Sequence, residues 1–225
     1  MSGTAADPAN VADASAPERL WLDRGSWVDV WRGWRRDEGA TYRELASTLP
    51  WSQSKLWRYD HYVIEPRLGA ALRQGAHPVL KDALLLLRST YQVDFMGPAL
   101  AYYRDGRDAL GPHRDRDLRY TSETLVAILT FGSQRPWQLT PLARGAGPPR
   151  PHPRIRGDQP GVVDLRPADG DLFVLGGRAQ ADWLHGVPPV PGLHTGRISA
   201  QWRWTSHSGP PERGPGYRAP RNYSR

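Results

Sequence analysis

Three side chains in the second half of the sequence have the types and spacing of a metal centre. His113 and Asp115 are separated by one residue, which on a strand turns both side chains to the same face, so both can reach one ion. A lone His-x-Asp is commonplace, and its ordinary reading is a surface pair. His185, in Trp183-Leu184-His185-Gly186-Val187 at the end of a later extended run, supplies a third ligand. Two neutral imidazoles and one carboxylate form the facial set that holds Fe(II) and leaves three positions open. His194 competes for the third place but follows Pro191-Gly192, which reads as a turn. His61, His77, His152 and His207 have no partner at ligand spacing.

A second constellation lies on the last extended run. In Arg197-Ile198-Ser199-Ala200-Gln201-Trp202-Arg203-Trp204, apolar and polar residues alternate strictly, leaving Arg197, Ser199, Gln201 and Arg203 on one face. On an open sheet such a face would be solvated. In a closed barrel or jelly roll it can line a cavity while the apolar face packs outside against helices. An arginine in that cavity suits the distal carboxylate of 2-oxoglutarate, whose other end would chelate iron and leave one position for dioxygen. Tyr103 could donate its phenol to the same ligand; core packing is its equally ordinary reading.

These residues need elements to hold them. From Ala99 onward the chain breaks into short extended runs punctuated by Gly and Pro, over 100–104, 124–131, 137–140, 162–165, 171–175 and 197–205, an all-β pattern. Upstream the reading is helical. Trp27, Val30, Trp31 and Trp34 recur at helical spacing after Ser26, with Asp29 placed as in a capping box. Thr41 and Glu44 repeat that signature for a second helix ending at Pro50. A third runs from Pro78 to Tyr91 and buries Leu80, Leu84, Leu87 and Tyr91. The expected fold class is mainly β with flanking helices: a jelly-roll core, 99–207, with an N-terminal helical part, 18–98, packed outside, together one domain over 18–207. Residues 1–17 and 208–225 read as disordered tails, and 145–161, rich in Pro, Gly and Arg, as a mobile loop.

Composition narrows the chemistry. The chain of 225 residues has no cysteine, which excludes disulfides, thiolate metal sites and cysteine nucleophiles. No apolar run is long enough to span a membrane and no leader is recognisable, so the expected compartment is the cytoplasm; a monomer is the separate default expectation. The net charge of +7 favours a polyanionic partner. Because Lys55 and Lys81 are the only lysines, the arginine excess is equally well read as compositional bias.

The motifs resemble those of the AlkB-type dioxygenases. Tyr102-Tyr103-Arg104-Asp105-Gly106 followed by His113-Arg114-Asp115 is similar to their Tyr-x-x-Gly and His-x-Asp stretch. Gly170-Asp171-Leu172-Phe173-Val174-Leu175-Gly176-Gly177 leading to His185 resembles their Gly-Asp-x-x-x-x-Gly-Gly and distal histidine, and Arg197 and Arg203 fit their Arg-x-x-x-x-x-Arg strand. The detailed match runs from Leu100 to Trp204, with looser similarity over 22–34, Pro50-Trp51 and Pro66-Arg67. The resemblance implies a double-stranded β-helix, Fe(II) on His113, Asp115 and His185, and 2-oxoglutarate held by Tyr103, Arg197, Ser199 and Arg203. It also places Asp117 beside the target base, with Arg203 bordering the substrate pocket. Ala101 stands where many members carry an asparagine for the cosubstrate, and Ser199 occupies another position that is often asparagine. After Pro66-Arg67 no aromatic follows to stack on a base, leaving Tyr59, Tyr62 or Trp57 to supply that contact.

The function expected from this resemblance is oxidative dealkylation of N-alkylated bases in nucleic acid, DNA before RNA, as in repair of alkylation damage. Formaldehyde, succinate and carbon dioxide would be released. Arginines at 114, 116, 119 and 150–156 could hold phosphates, though for any one of them a solvated charge is the somewhat more ordinary reading. The same oxidation of a small molecule or protein side chain is the alternative. A non-catalytic binding module is a third reading, which the intact ligand set disfavours.

Overall fold

The computed structural model describes residues 16–58, 61–115, 118, 123–142 and 161–206. Residues 1–15 of the N-terminal tail, the C-terminal tail, most of the loop at 145–161, and Tyr59, Arg116, Asp117, Arg119 and the arginines of 150–156 lie outside the described residues. The chain opens with β1 (Glu18–Trp21) and β2 (Ser26–Trp31), followed by α1 (Ala40–Thr48), β3 (Lys55–Arg58), β4 (His61–Ile64), β5 (Leu68–Ala71) and α2 (Pro78–Tyr91). The second half adds β6 (Met96–Tyr103), β7 (Leu110–His113), β8 (Thr124–Gly132), β9 (Gln138–Pro141), β10 (Val163–Asp164), β11 (Leu172–Gly177), α3 (Ala179–Asp182), β12 (Trp183–Val187) and β13 (Arg197–Thr205). They assemble as a seven-stranded sheet in the order β1-β2-β11-β8-β13-β6-β5, a four-stranded sheet β10-β9-β12-β7, and the separate hairpin β3-β4. The paired strands run antiparallel, as a jelly roll requires. No helix among the described residues is long and apolar enough to cross a membrane.

Strand alternation sorts the apolar residues into two layers. Leu125, Ala127, Leu129 and Phe131 of β8, Leu172 and Val174 of β11, and Ile198, Ala200 and Trp202 of β13 face outward and pack beneath the helices, meeting Leu45 of α1 and Leu80, Leu84 and Leu87 of α2. Val126 and Ile128, Phe173 and Leu175 face inward and meet Trp137, Leu139, Trp183 and Val187 from the smaller sheet. Each buried valine, leucine, isoleucine or phenylalanine among these contributes roughly 1.5–3 kcal/mol of transfer free energy. β8, flanked by β11 and β13, is buried on both faces, which is why its sequence reads as one apolar run.

Two expectations are corrected. The stretch 26–34 is not a helix: Ser26–Trp31 is β2, an interior strand between β1 and β11. With Val28 and Val30 inward and Trp27 and Trp31 toward the helices, an apolar residue stands at almost every position, and such a run satisfies helical spacing by accident. Trp34 comes only after a left-handed turn at Gly33, φ 59°. The N-terminal part is therefore not mainly helical. It has two helices, and β1, β2 and β5 join the major sheet. The second helix forms and stops before Pro50, but Thr41 lies inside it and does not cap it. Gly39 is the N-cap, while the Asp37 carboxylate accepts both the Thr41 hydroxyl and, at 3.2 Å, its backbone N–H. The third helix runs as expected, with Pro78 in its first turn and Gln92 closing it in the left-handed conformation.

Candidate metal and cosubstrate site

The smaller sheet brings the three candidate metal ligands together. β7 and β12 are adjacent and antiparallel, and His185 stands directly opposite His113, with the imidazole centroids 4.3 Å apart. Gly186 permits this approach, since a Cβ there would lie 3.1 Å from Leu110 O and Pro112 N, and the ladder shifts register just beyond His185. Asp115 lies two residues past the end of β7, and one ligand atom from each of His113, Asp115 and His185 falls within 4.8 Å of the others. His194, the competing candidate, is exposed and outside this cluster, and His77 is buried beside Glu44, 3.4 Å away.

Each ligand is oriented by its surroundings. His113 Nδ1 lies 3.0 Å from Gly111 O, so the tautomer protonated there presents Nε2 to an ion. Arg203 Nε donates to Asp115 Oδ2 at 2.7 Å, leaving Oδ1 on the side of His113, 3.7 Å from its Nε2. Burial disfavours the charged carboxylate, but the Arg203 guanidinium and the two imidazoles outweigh it and hold Asp115 well below the usual carboxylate range. Burial likewise lowers His113, and drives His185 down to about 3 with His113 as a neighbour. All three groups are thus in the protonation state that a divalent cation requires. The N–H of Asp115 donates to Gln180 Oε1 at 3.1 Å, and Arg114 Nη1 donates to Ala181 O at 2.8 Å, tying the carboxylate segment to the turn that precedes β12. Arg114 is thereby engaged within the fold.

The inward face of β13 continues the site. In register, Arg197 lies opposite Tyr103 of β6 and Gly132 of β8, and Ser199 opposite Ala101 and Thr130. Arg197, Ser199, Gln201 and Arg203 line one cavity with Tyr103, His113, Asp115 and His185, together with Arg67, Trp137 and Thr130. Arg197 is 2% exposed, and burial pushes its guanidinium down to about 10, still protonated at neutral pH. Its Nη1 donates to Arg135 O at 3.3 Å, yet its Nε and the Ser199 hydroxyl, both buried, have no hydrogen-bond partner among the described residues. A guanidinium Nε and a hydroxyl without partners at the end of a cavity whose other end carries three candidate metal ligands fit a dicarboxylate that also chelates iron.

Of the other residues singled out in the sequence, Arg203 is committed to Asp115 and to Gln201 Oε1, 2.8 Å away, while still lining the cavity. Tyr62 is 58% exposed on β4, opposite Trp57 in register, and does not line the cavity. Tyr59 and Asp117 fall outside the described residues. Sequence reasoning missed Arg67, Gln180 and Arg135. Arg67 shares a hydrogen bond with Tyr103; burial lowers its guanidinium, and Tyr103, Glu65 and Asp115 more than restore it. Only Arg67 carried a signal, as part of the Pro66-Arg67 pair.

The comparisons with known proteins agree with this geometry. The profile of the 2OG-Fe(II) oxygenase superfamily matches residues 70–203. Among curated proteins, the mouse (Mus musculus) alpha-ketoglutarate-dependent dioxygenase alkB homolog 3 is 27% identical over 71% of this chain and 59% of its own length. The human (Homo sapiens) protein of the same name is 26% identical over the same shares. The chain thus spans about three fifths of the length of the curated relatives it matches. A prolyl hydroxylase from Trichoplax adhaerens, solved with a hypoxia inducible factor peptide, superposes with TM-score 0.50 at 13% identity over 79% of this chain and 83% of that one, a likeness of fold. The chain belongs to the 2OG-Fe(II) oxygenase superfamily, whose Fe(II), 2-oxoglutarate and dioxygen the cluster of His113, Asp115 and His185 and the cavity beside it fit.

Proposed function

We propose that this dioxygenase removes alkyl groups from ring nitrogens of nucleobases in DNA or RNA. The observation that carries the reading is the similarity to alkB homolog 3 over 71% of the chain. The net charge of +7 supports it, because a basic protein gains affinity for phosphate backbones by counterion release.

In this reading His113, Asp115 and His185 hold the iron, and Arg197 receives the distal carboxylate of 2-oxoglutarate, with Tyr103 and Ser199 at its flanks. Iron, when bound with the cosubstrate and dioxygen, supplies oxidation of an unactivated C–H bond, the cosubstrate leaving as succinate and carbon dioxide. Arg203 keeps Asp115 ionised and fixes which carboxylate oxygen faces the metal. The inward layer of Val126, Ile128, Trp137 and Val187 supplies the apolar part of the cavity walls. An N-methyl group hydroxylated there becomes a hemiaminal, which falls apart to formaldehyde and the restored base with no protein nucleophile. The base reaches the cavity only out of its stack, from a single strand or by flipping.

The test is incubation of purified protein with Fe(II), ascorbate, 2-oxoglutarate and DNA or RNA oligonucleotides carrying 1-methyladenine or 3-methylcytosine. Succinate and methyl loss are followed by mass spectrometry, with His185→Ala as control. Demethylation by the unaltered chain alone is expected. Succinate formation that leaves every oligonucleotide methylated would overturn the nucleic-acid reading and direct the search to small molecules or protein side chains.

A further inference from the structure

The connection between β8 and β9 carries Arg135, a guanidinium 1% exposed that is not among the residues lining the cavity. Its Nη1 donates to Asp105 O at 3.1 Å, and its Nη2 donates to Asp108 O at 2.6 Å and Pro188 O at 3.2 Å. Asp105 and Asp108 lie on the connection from β6 to β7 that delivers His113, and Pro188 follows the strand that carries His185. The same guanidinium sits 4.9 Å from the centre of the Tyr103 ring, and the Arg135 carbonyl accepts the hydrogen bond from Arg197. The side chain therefore backs Tyr103 and the segments next to both histidines, while the main-chain carbonyl of the same residue holds Arg197.

Its charge is unusual for so buried a group. Both Asp108 carboxylate oxygens are engaged by Arg104, and those of Asp105 by Arg107, so Arg135 is held by backbone carbonyls and a ring face. A second buried cation, Arg197, lies 5.2 Å from the same ring. Two like charges under one tyrosine repel in the empty fold, and a dicarboxylate arriving at Arg197 relieves that repulsion. We propose that Arg135 is a positioning residue for 2-oxoglutarate: its guanidinium sets Tyr103 and, as a like charge beside Arg197, makes the pocket selective for an anionic ligand. A lysine keeps the charge but lacks the planar fork that reaches three carbonyls and stacks on a ring.

The inference rests on the family's cosubstrate and holds for any prime substrate. Its test is anaerobic titration of the Fe(II)-loaded protein with 2-oxoglutarate, followed by visible charge-transfer absorption, for the unaltered chain, Arg135→Met and Arg135→Lys. Arg135→Met is expected to raise the 2-oxoglutarate Kd about 10- to 100-fold, while Fe(II) affinity without cosubstrate stays within about threefold and kcat at saturating 2-oxoglutarate changes little. Arg135→Lys is expected to fall between, and it carries the test alone if the methionine variant fails to fold. An unchanged Kd in either folded variant, or parallel loss of Fe(II) and 2-oxoglutarate binding, would overturn the proposal.

Discussion

Arg197→Met keeps most of the length of the side chain and removes its charge, and the structure gives its two effects opposite signs. In the fold without cosubstrate, Arg197 is a cost. Burial, with Arg135 as a like-charged neighbour, lowers its guanidinium from 12.5 to about 10 even with Tyr103 favouring the charge, a net penalty on the charged form of roughly 3 kcal/mol. Removing the charge is expected to leave the melting temperature of the ligand-free protein unchanged, or to raise it by roughly 2–4 °C for each kcal/mol recovered. Cosubstrate binding moves the other way. Loss of a desolvated charge-assisted partner costs about 2–5 kcal/mol, which at about 1.4 kcal/mol per decade raises the KM for 2-oxoglutarate from roughly 30-fold to several thousandfold. Initial rates of succinate formation across 2-oxoglutarate concentrations, beside thermal melts of the same preparations, measure both. A KM within about threefold of the unaltered chain would refute the assignment, and a large fall in melting temperature with KM unchanged would make Arg197 a structural residue.

Two further outcomes follow from the same geometry. His185 has its folded value lowered from 6.5 to about 3, so between those values the unfolded chain binds more protons. Stability of the metal-free protein is therefore full above about pH 6.5 and falls as pH drops toward 3, by at most about 1.4 kcal/mol per pH unit from this residue. Urea melts from pH 7.5 to 4 are expected to show a shallower slope for His185→Gln, and an equal slope would sink the argument. Gly170 adopts φ 74°, and a Cβ there would stand 1.6 Å from Arg35 O. Gly170→Ala is expected to cost more than about 2 kcal/mol in urea unfolding, and a cost below about 0.5 kcal/mol would contradict the described turn.

Legibility in the sequence followed the length and regularity of each element. β13 alternates over nine residues and was read with its bounds and both faces, because one face is core and the other cavity. β1, β3, β4, β5 and β7 are four residues each, too short to establish a period, and were not read; β9 and β10 are no longer and were marked only by the Gly and Pro residues around them. β2 was misread because burial on both faces erases alternation. Of the site, His113 and Asp115 were visible as a spaced pair, although the ladder ends at His113 and Asp115 is positioned by Arg203 and Gln180. Their meeting with His185 depends on register between strands 72 residues apart, which motif order indicated and periodicity could not. Arg135 and Gln180 were invisible for a related reason. Each is a lone polar residue outside any pattern, and what it does comes from the segments that converge on it.

The division of labour along β13 also bears on what changes the chain can absorb. Side chains facing the cavity can be exchanged one at a time without disturbing Ile198, Ala200 and Trp202 beneath the helices, so the ligand preference of the pocket can drift while the scaffold stays constant. An insertion or deletion of one residue between Gly196 and Trp204 is a different event. It would invert the strand, sending guanidinium groups into the helix-covered layer and indoles into the pocket. For this strand, point substitution is the open route of divergence, and a change of length within it is closed.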